Sequence, residues 1–283
     1  MNKILLENKN YNLDEIFEII SDKPSIHLDD SIKQIVEKSY DAVSSIVESS
    51  KTVYGINTGF GKLSQISIPK DDLLKLQENL LLSHAVGVGN AIEDEIVWIM
   101  LFIKILSLSK GYSGVSVELI ERLKELLNSG YLPLVPSQGS VGASGDLAPL
   151  AHMALPLICE GEVRRNKKIF LSNEVFKNKY LLKPKEGLAI INGTQFSTAL
   201  AIKALYRIKK LAKIADIVSA LTIEGLLGTD EAFRYDVQSV KLHPEQLKVA
   251  KNLRFLLKES EIHASHKECD RVQDMYSLRC IPQ

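Results

Sequence analysis

The stretch that decides the fold is Gln195–Leu227, QFSTALAIKALYRIKKLAKIADIVSALTIEGLL, which contains no proline. Its apolar residues return at Leu200, Ala204, Ile208, Leu211, Ala215, Val218 and Leu221. That spacing follows the helical period of about 3.6 residues, so the stretch predicts one long helix. Small residues at Ala199, Ala201, Ala212 and Ala220 let neighbouring helices approach closely. A helix of this kind needs helical partners, and the architecture reads as a helical bundle.

Working outward, Leu13 to Ile20, Leu28 to Val47, Leu73 to Val86, Ile96 to Leu108 and Val117 to Leu127 repeat the helical spacing on a shorter scale. A strand pair is expected at Glu162-Val163 and Ile169-Phe170-Leu171, turning through Arg164 to Lys168. The pattern changes scale after Pro184. Residues 1–183 therefore read as a mostly helical N-terminal region and 184–283 as the start of a long-helix bundle, giving a mainly α protein.

Composition narrows the partners. Among 283 residues, Lys plus Arg and Asp plus Glu are equal at 35 each, so no net field draws nucleic acid or an anionic membrane. Small molecules and like subunits remain. Cys159, Cys269 and Cys280 form no C-x-x-C pair and no metal-like grouping with histidine, which fits a reducing compartment and no metal. The short apolar run after Lys3 is interrupted by Glu7, and nowhere do roughly 18 apolar residues run together. A soluble cytoplasmic protein is expected.

Chemistry concentrates in Gly139-Ser140-Val141-Gly142-Ala143-Ser144-Gly145-Asp146-Leu147-Ala148-Pro149. One reading is a glycine loop entering a helix, with Ser144 capping the first turn, Asp146 complementing the dipole and Pro149 suited to that turn. A second is covalent. In a tightly bent chain the Gly145 nitrogen could attack the Ala143 carbonyl, and loss of the Ser144 hydroxyl would leave an exocyclic methylidene. A phosphate cradle fits poorly, because no Lys-Ser or Lys-Thr follows the glycines.

Tyr54-Gly55-Ile56-Asn57-Thr58-Gly59-Phe60-Gly61-Lys62 is a second glycine-rich run. Ile56 and Leu63 break the Walker pattern, which leaves an ordered loop with a packed tyrosine. Ser83-His84 lies near the end of a helix, where a histidine is commonly structural. Asn192-Gly193-Thr194 reads as a turn before the long helix, with Thr194 or Asn192 capping it. Near the end stands Gln273-Asp274-Met275-Tyr276-Ser277-Leu278-Arg279-Cys280.

Taken together and in this order, the four segments and Gly139 to His152 resemble the aromatic amino acid ammonia-lyases. The resemblance implies a bundle of the fumarase/aspartase-like type with an N-terminal globular region carrying a prosthetic-group loop. In that family Ala-Ser-Gly cyclises to a methylidene-imidazolone, a role falling here to Ala143, Ser144 and Gly145. The general base falls to Tyr54, and Asn192 lies beside ring and substrate. Arg279 pairs with the substrate carboxylate, as a planar guanidinium can do with two hydrogen bonds, and Gln273 and Tyr276 complete the polar wall. Met275 departs from the proline common in histidine-type members.

Phenylalanine-type members carry an apolar Phe-Leu pair where this chain has Ser83-His84, so the resemblance implies that His84 reads a substrate imidazole. The expected reaction is elimination of ammonia from L-histidine to give urocanate. The rivals are a tyrosine or phenylalanine lyase or aminomutase with the same ring, and an inactive fragment that needs a complementary C-terminal chain. His152, Asp146 and Glu224 stay outside the expected catalytic set. Family members assemble as homotetramers with shared sites, so Tyr54 and Ser144 of one site are expected from different chains. They also continue well past Ile281-Pro282-Gln283, so the chain reads as an N-terminal portion, incomplete at its C-terminus.

Overall fold

The computed structural model describes residues 2–49, 52–59, 68–69, 72–143, 145–266 and 269–283. They divide into two compact units, Met1–Lys203 and Ala204–Gln283, with the division inside the long helix.

In the first unit, β1 (Lys3–Leu6) and β2 (Ser25–Leu28) pair in parallel, Lys3 opposite Ser25 and Leu6 opposite Leu28. The crossover between them is α1 (Leu13–Asp22), which starts on a capping box. Asn12 Oδ1 accepts from the N–H groups of Asp14 and Glu15, while Glu15 takes the Asn12 N–H. Helical spacing revealed α1 but not its flanking strands. A side-chain amide completes β2: Asn128 accepts from the Ile26 N–H at 2.9 Å and donates to its carbonyl at 2.8 Å.

α2 (Asp30–Glu48) and α3 (Leu73–His84) follow, then β3 (Val88–Ala91), α4 (Asp94–Leu108) and α5 (Val117–Ser129). Ile96 to Phe102, Ile105 and Leu108 are all buried, so α4 is apolar on nearly every side and forms the middle of the core against α5. β4 (Leu132–Pro133) and β5 (Pro136–Gln138) lead to α6 (Leu147–Ala154). β5 pairs antiparallel with β3, Val88 opposite Gln138.

β6 (Glu162–Arg165) and β7 (Lys168–Leu171) form the expected hairpin, with β4 added to its edge. Asn166 and Lys167 both take positive φ, 51° and 66°, as a two-residue type I′ turn requires. α7 (Ser172–Val175) and α8 (Glu186–Ile191) precede α9 (Gln195–Gly225), the helix that Gln195–Leu227 predicted. α3, α6 and α8 pack against one another in pairs.

A buried carboxylate fixes the start of α8. Glu186 accepts from the Ser116 N–H (3.0 Å), Ser116 Oγ (2.7 Å), Tyr180 Oη (2.9 Å) and the Lys183 N–H (2.8 Å). Burial beside this charge pushes the Tyr180 phenol well above its ordinary pKa.

The second unit is built on the C-terminal part of α9 with α10 (Tyr235–Gln238), α11 (Pro244–Leu256), α12 (Glu261–Ser265) and α13 (Tyr276–Arg279). Its core joins Ala220, Ile223, Phe233, Ala250, Leu253, Leu257 and Leu278. Ile208, Leu211, Val218 and Leu221, which predicted a bundle, stand exposed on α9. Among the described residues no helix is long and apolar enough to cross a membrane.

Candidate functional site

The site grows from the loop between β5 and α6. Gly142 and Gly145 both take positive φ, and at Gly145 the value is +116°, a conformation open in practice to glycine alone. A Cβ on Gly145 would lie 2.7 Å from both the nitrogen and the oxygen of Gly193. The Asp146 N–H donates to that oxygen at 2.7 Å. Ala143 is exposed at the surface of the loop, and Ser144 lies outside the described residues. The torsions of Gly142 and Gly145 thus turn the described chain before and after Ser144, and an attack of the Gly145 nitrogen on the Ala143 carbonyl calls for a turn of this kind. The residues present fit the proposed ring.

Asp146, expected to complement the dipole of the helix it opens, reaches across to another. Its carboxylate makes no capping bond to α6, although Asp146 is the cap residue there. Instead Oδ1 accepts from Ser140 Oγ at 2.6 Å, and Oδ2 accepts from the N–H and the hydroxyl of Ser197, both at 2.9 Å. Only 2% exposed, Asp146 therefore satisfies a free N–H in the first turn of α9, where its charge also complements the helix dipole. The cap sought at Thr194 or Asn192 comes from across the loop.

Asn192 ends α8, its N–H bonded to the Leu188 carbonyl at 2.9 Å and its side chain exposed beside Gly193. The Tyr54 loop meets the same short helix: a Cβ on Gly55, at φ +74°, would lie 2.6 Å from Leu188 Cδ2. Asn57 Oδ1 accepts the Val53 N–H at 2.8 Å and Thr58 Oγ1 accepts the Gly55 N–H at 3.2 Å, so these polar residues shape the turn. Tyr54 is not the packed tyrosine of an ordinary loop, being 60% exposed. Phe60 to Ser67 lie outside the described residues.

His84 is the last residue of α3, and its Nδ1 lies 2.8 Å from the Leu80 carbonyl and 3.2 Å from Ser83 Oγ. A neutral ring donating from Nδ1 to that carbonyl keeps a lone pair on Nε2. In the first unit, then, Gly145 meets Gly193 just past α8, Gly55 meets Leu188 of α8, and His84 lies on the neighbouring α3.

Gln273, Tyr276 and Arg279 belong to the second unit. Asp274 is buried and accepts the Thr229 N–H at 2.6 Å, while Arg279 Nε donates to the Asp274 carbonyl at 2.8 Å. Gln273 and Tyr276 are exposed on this turn. Met275 sits at φ −61°, the value a proline ring imposes, and at ψ 149°, so the turn at 275 is one that a proline could also adopt.

Lys104 escaped the sequence reading, although a lysine inside the apolar run of α4 was its signal. It is 1% exposed, and Nζ donates to the Ala189 carbonyl of α8 at 3.3 Å. Burial pushes its pKa down to about 7, with the Asp146 charge opposing. The unfolded chain, titrating near 10.5, takes up this proton first as pH falls. Stability therefore rises with pH from about 7 to about 10, and the whole penalty is present below that window. Lys104→Met is expected to stabilise the protein at pH 7 by about 1–4 kcal/mol. Urea titrations should find the gain shrinking toward pH 10. Among the described residues no group of three His, Cys, Asp or Glu could hold a metal.

The pattern of the aromatic amino acid lyase family matches residues 11–283. A histidine ammonia-lyase of Idiomarina loihiensis is 45% identical over 276 residues, which are 96% of this chain and 54% of that protein. The crystal structure of histidine ammonia-lyase from Trypanosoma cruzi superposes with a TM-score of 0.86 at 34% identity, over 99% of this chain and 52% of that one. Tyrosine aminomutase from Streptomyces globisporus gives 0.89 at 29% identity, over 99% and 57%. The chain spans about half the length of the curated relatives it matches. It is mostly helical, shares the fold of these lyases and aminomutases over their first half, and belongs to the aromatic amino acid lyase family.

Proposed function

We propose that the complete protein eliminates ammonia from L-histidine to give urocanate, a step of histidine breakdown in the cytoplasm. The observation that carries the proposal is the bend at Gly145, held against Gly193 and fixed by the Asp146 N–H. Ala143, Ser144 and Gly145 close there to a 4-methylidene-imidazol-5-one. The ring supplies an electrophilic methylidene carbon that receives electrons from the substrate.

The remaining residues bind and move a proton. The exposed Tyr54 phenol takes the β-proton of the substrate. The guanidinium of Arg279, oriented through its Nε, pairs with the substrate carboxylate, and Asn192 supports it together with Gln273 and Tyr276. His84, keeping a lone pair on Nε2, accepts the N–H of a substrate imidazole. A site that offers such a bond rejects rings lacking the donor, because its own polar atom would be left unpaired. The names of the relatives, histidine ammonia-lyases at 43–45% identity, support the same substrate.

We further propose that residues 184–283 begin a central bundle finished by a C-terminal chain segment and by other copies in a homotetramer. That assembly covers the exposed apolar residues of α9, with Tyr54 and Ser144 of one site supplied by different chains. The test is product formation by the chain co-expressed with a matching C-terminal half. Urocanate should exceed cinnamate and coumarate when each amino acid is offered. The reverse order would favour the tyrosine or phenylalanine reading, and assembly without any deamination would favour an inactive fragment.

A further inference from the structure

His152 lies on α6, the helix that follows the bent loop, and its Nε2 accepts the Gly87 N–H at 3.0 Å. Gly87 is the third residue past His84 and the last before β3. In the ladder Val88 stands opposite Gln138, so one step further the register sets Gly87 against Gly139. There the backbones close in: a Cβ on Gly139 would lie 3.1 Å from Gly87 Cα and 3.1 Å from Ala148 Cβ. A Cβ on Gly87 would lie 3.2 Å from the His152 ring and 3.2 Å from Pro136 Cβ. At this crossing the Gly87 N–H bonds the imidazole of α6.

Burial pushes the His152 pKa down, which keeps the ring neutral. A neutral ring that accepts at Nε2 carries its proton on Nδ1. An imidazolium at this place would turn an N–H toward an N–H.

We propose that His152 is a positioning residue: through Gly87 it fixes the Ser83–His84 pair relative to the Ala143–Gly145 loop. This bond, added to the β3–β5 ladder and the packing of α3 on α6, then tunes the distance between the group that reads the substrate ring and the electrophile. The proposal rests on Ser83–His84 being the substrate-reading pair. His152→Phe keeps an aromatic ring but orphans the Gly87 N–H, whereas His152→Gln keeps an acceptor oxygen.

The test uses the isotope-labelled full chain. In the wild type the ring-nitrogen resonances of His152 should report Nδ1–H and an unprotonated Nε2. In His152→Phe the Gly87 amide should exchange about tenfold faster, the loss of one hydrogen bond. The His84 ring resonances should shift, while amides of α4 stay at wild-type values and the thermal midpoint falls by no more than about 5 °C. His152→Gln should restore both the exchange rate and the His84 resonances. A protonated Nε2 in the wild type, or unmoved His84 resonances in folded His152→Phe, overturns the proposal. Should His152→Phe not fold, the wild-type tautomer and the His152→Gln rates decide. Titration with urocanate of the chain assembled with its C-terminal half separates the two layers. No binding by the wild type sinks the substrate reading while exchange and resonances still decide the positioning, and equal binding by wild type and His152→Phe sinks the positioning.

Discussion

In the complete protein, Gly145→Ala should leave the intact mass at the sum of its residues, whereas the wild type should be lighter by two water molecules. The ring chemistry itself tolerates alanine, which still offers a backbone nitrogen. What alanine cannot do is occupy φ +116° with its Cβ 2.7 Å from two backbone atoms of Gly193. Strain of about 1–3 kcal/mol accompanies the torsion alone, and the facing atoms are main chain, which no side-chain rotation clears. The loop must open, moving the nitrogen away from the Ala143 carbonyl. Ser144→Ala is the companion variant: it also abolishes the mass deficit, by removing the leaving hydroxyl, but should leave the thermal midpoint unchanged. A full deficit in Gly145→Ala would mean that some other feature aligns the reacting atoms.

The second large effect concerns stability. Glu186→Ala removes an acceptor that serves the Ser116 N–H and hydroxyl, Tyr180 Oη and the Lys183 N–H in a fully buried position. Orphaning several buried donors together should destabilise the protein by about 3–5 kcal/mol, read as a lower urea midpoint. Glu186→Gln keeps one acceptor oxygen and should lose less. Because Glu186 opens the short helix that ends on Asn192, the alanine variant should also lose protection of the Asn192 amide in hydrogen exchange.

The helices were legible because an apolar stripe repeats at the helical period, buried on α1 and α5 and exposed on α9. The hairpin Glu162–Leu171 was legible from the β-forming run Ile169-Phe170-Leu171 set a turn's length after Val163. β1 and β2 were not, because four-residue strands that pair in parallel across a helix leave too short a pattern. Within the site, the reactive loop could be found from its residues, but its bend could not. Gly145 is held by Gly193, and Asp146 serves Ser197 rather than its own helix, and neither partner is announced by local spacing. His152 stood outside the expected catalytic set, and its contact with Gly87 spans 65 positions. Lys104 is the reverse case, visible as a charge inside an apolar run and passed over.

The bond from Ser197 to Asp146 joins residues 51 positions apart. A growing chain therefore releases the reactive tripeptide well before the beginning of α9 exists to brace it. Contacts over such a separation wait on tertiary structure, so this brace is absent until the beginning of α9 has been made. If the ring closes as proposed, its formation is thereby clocked by folding.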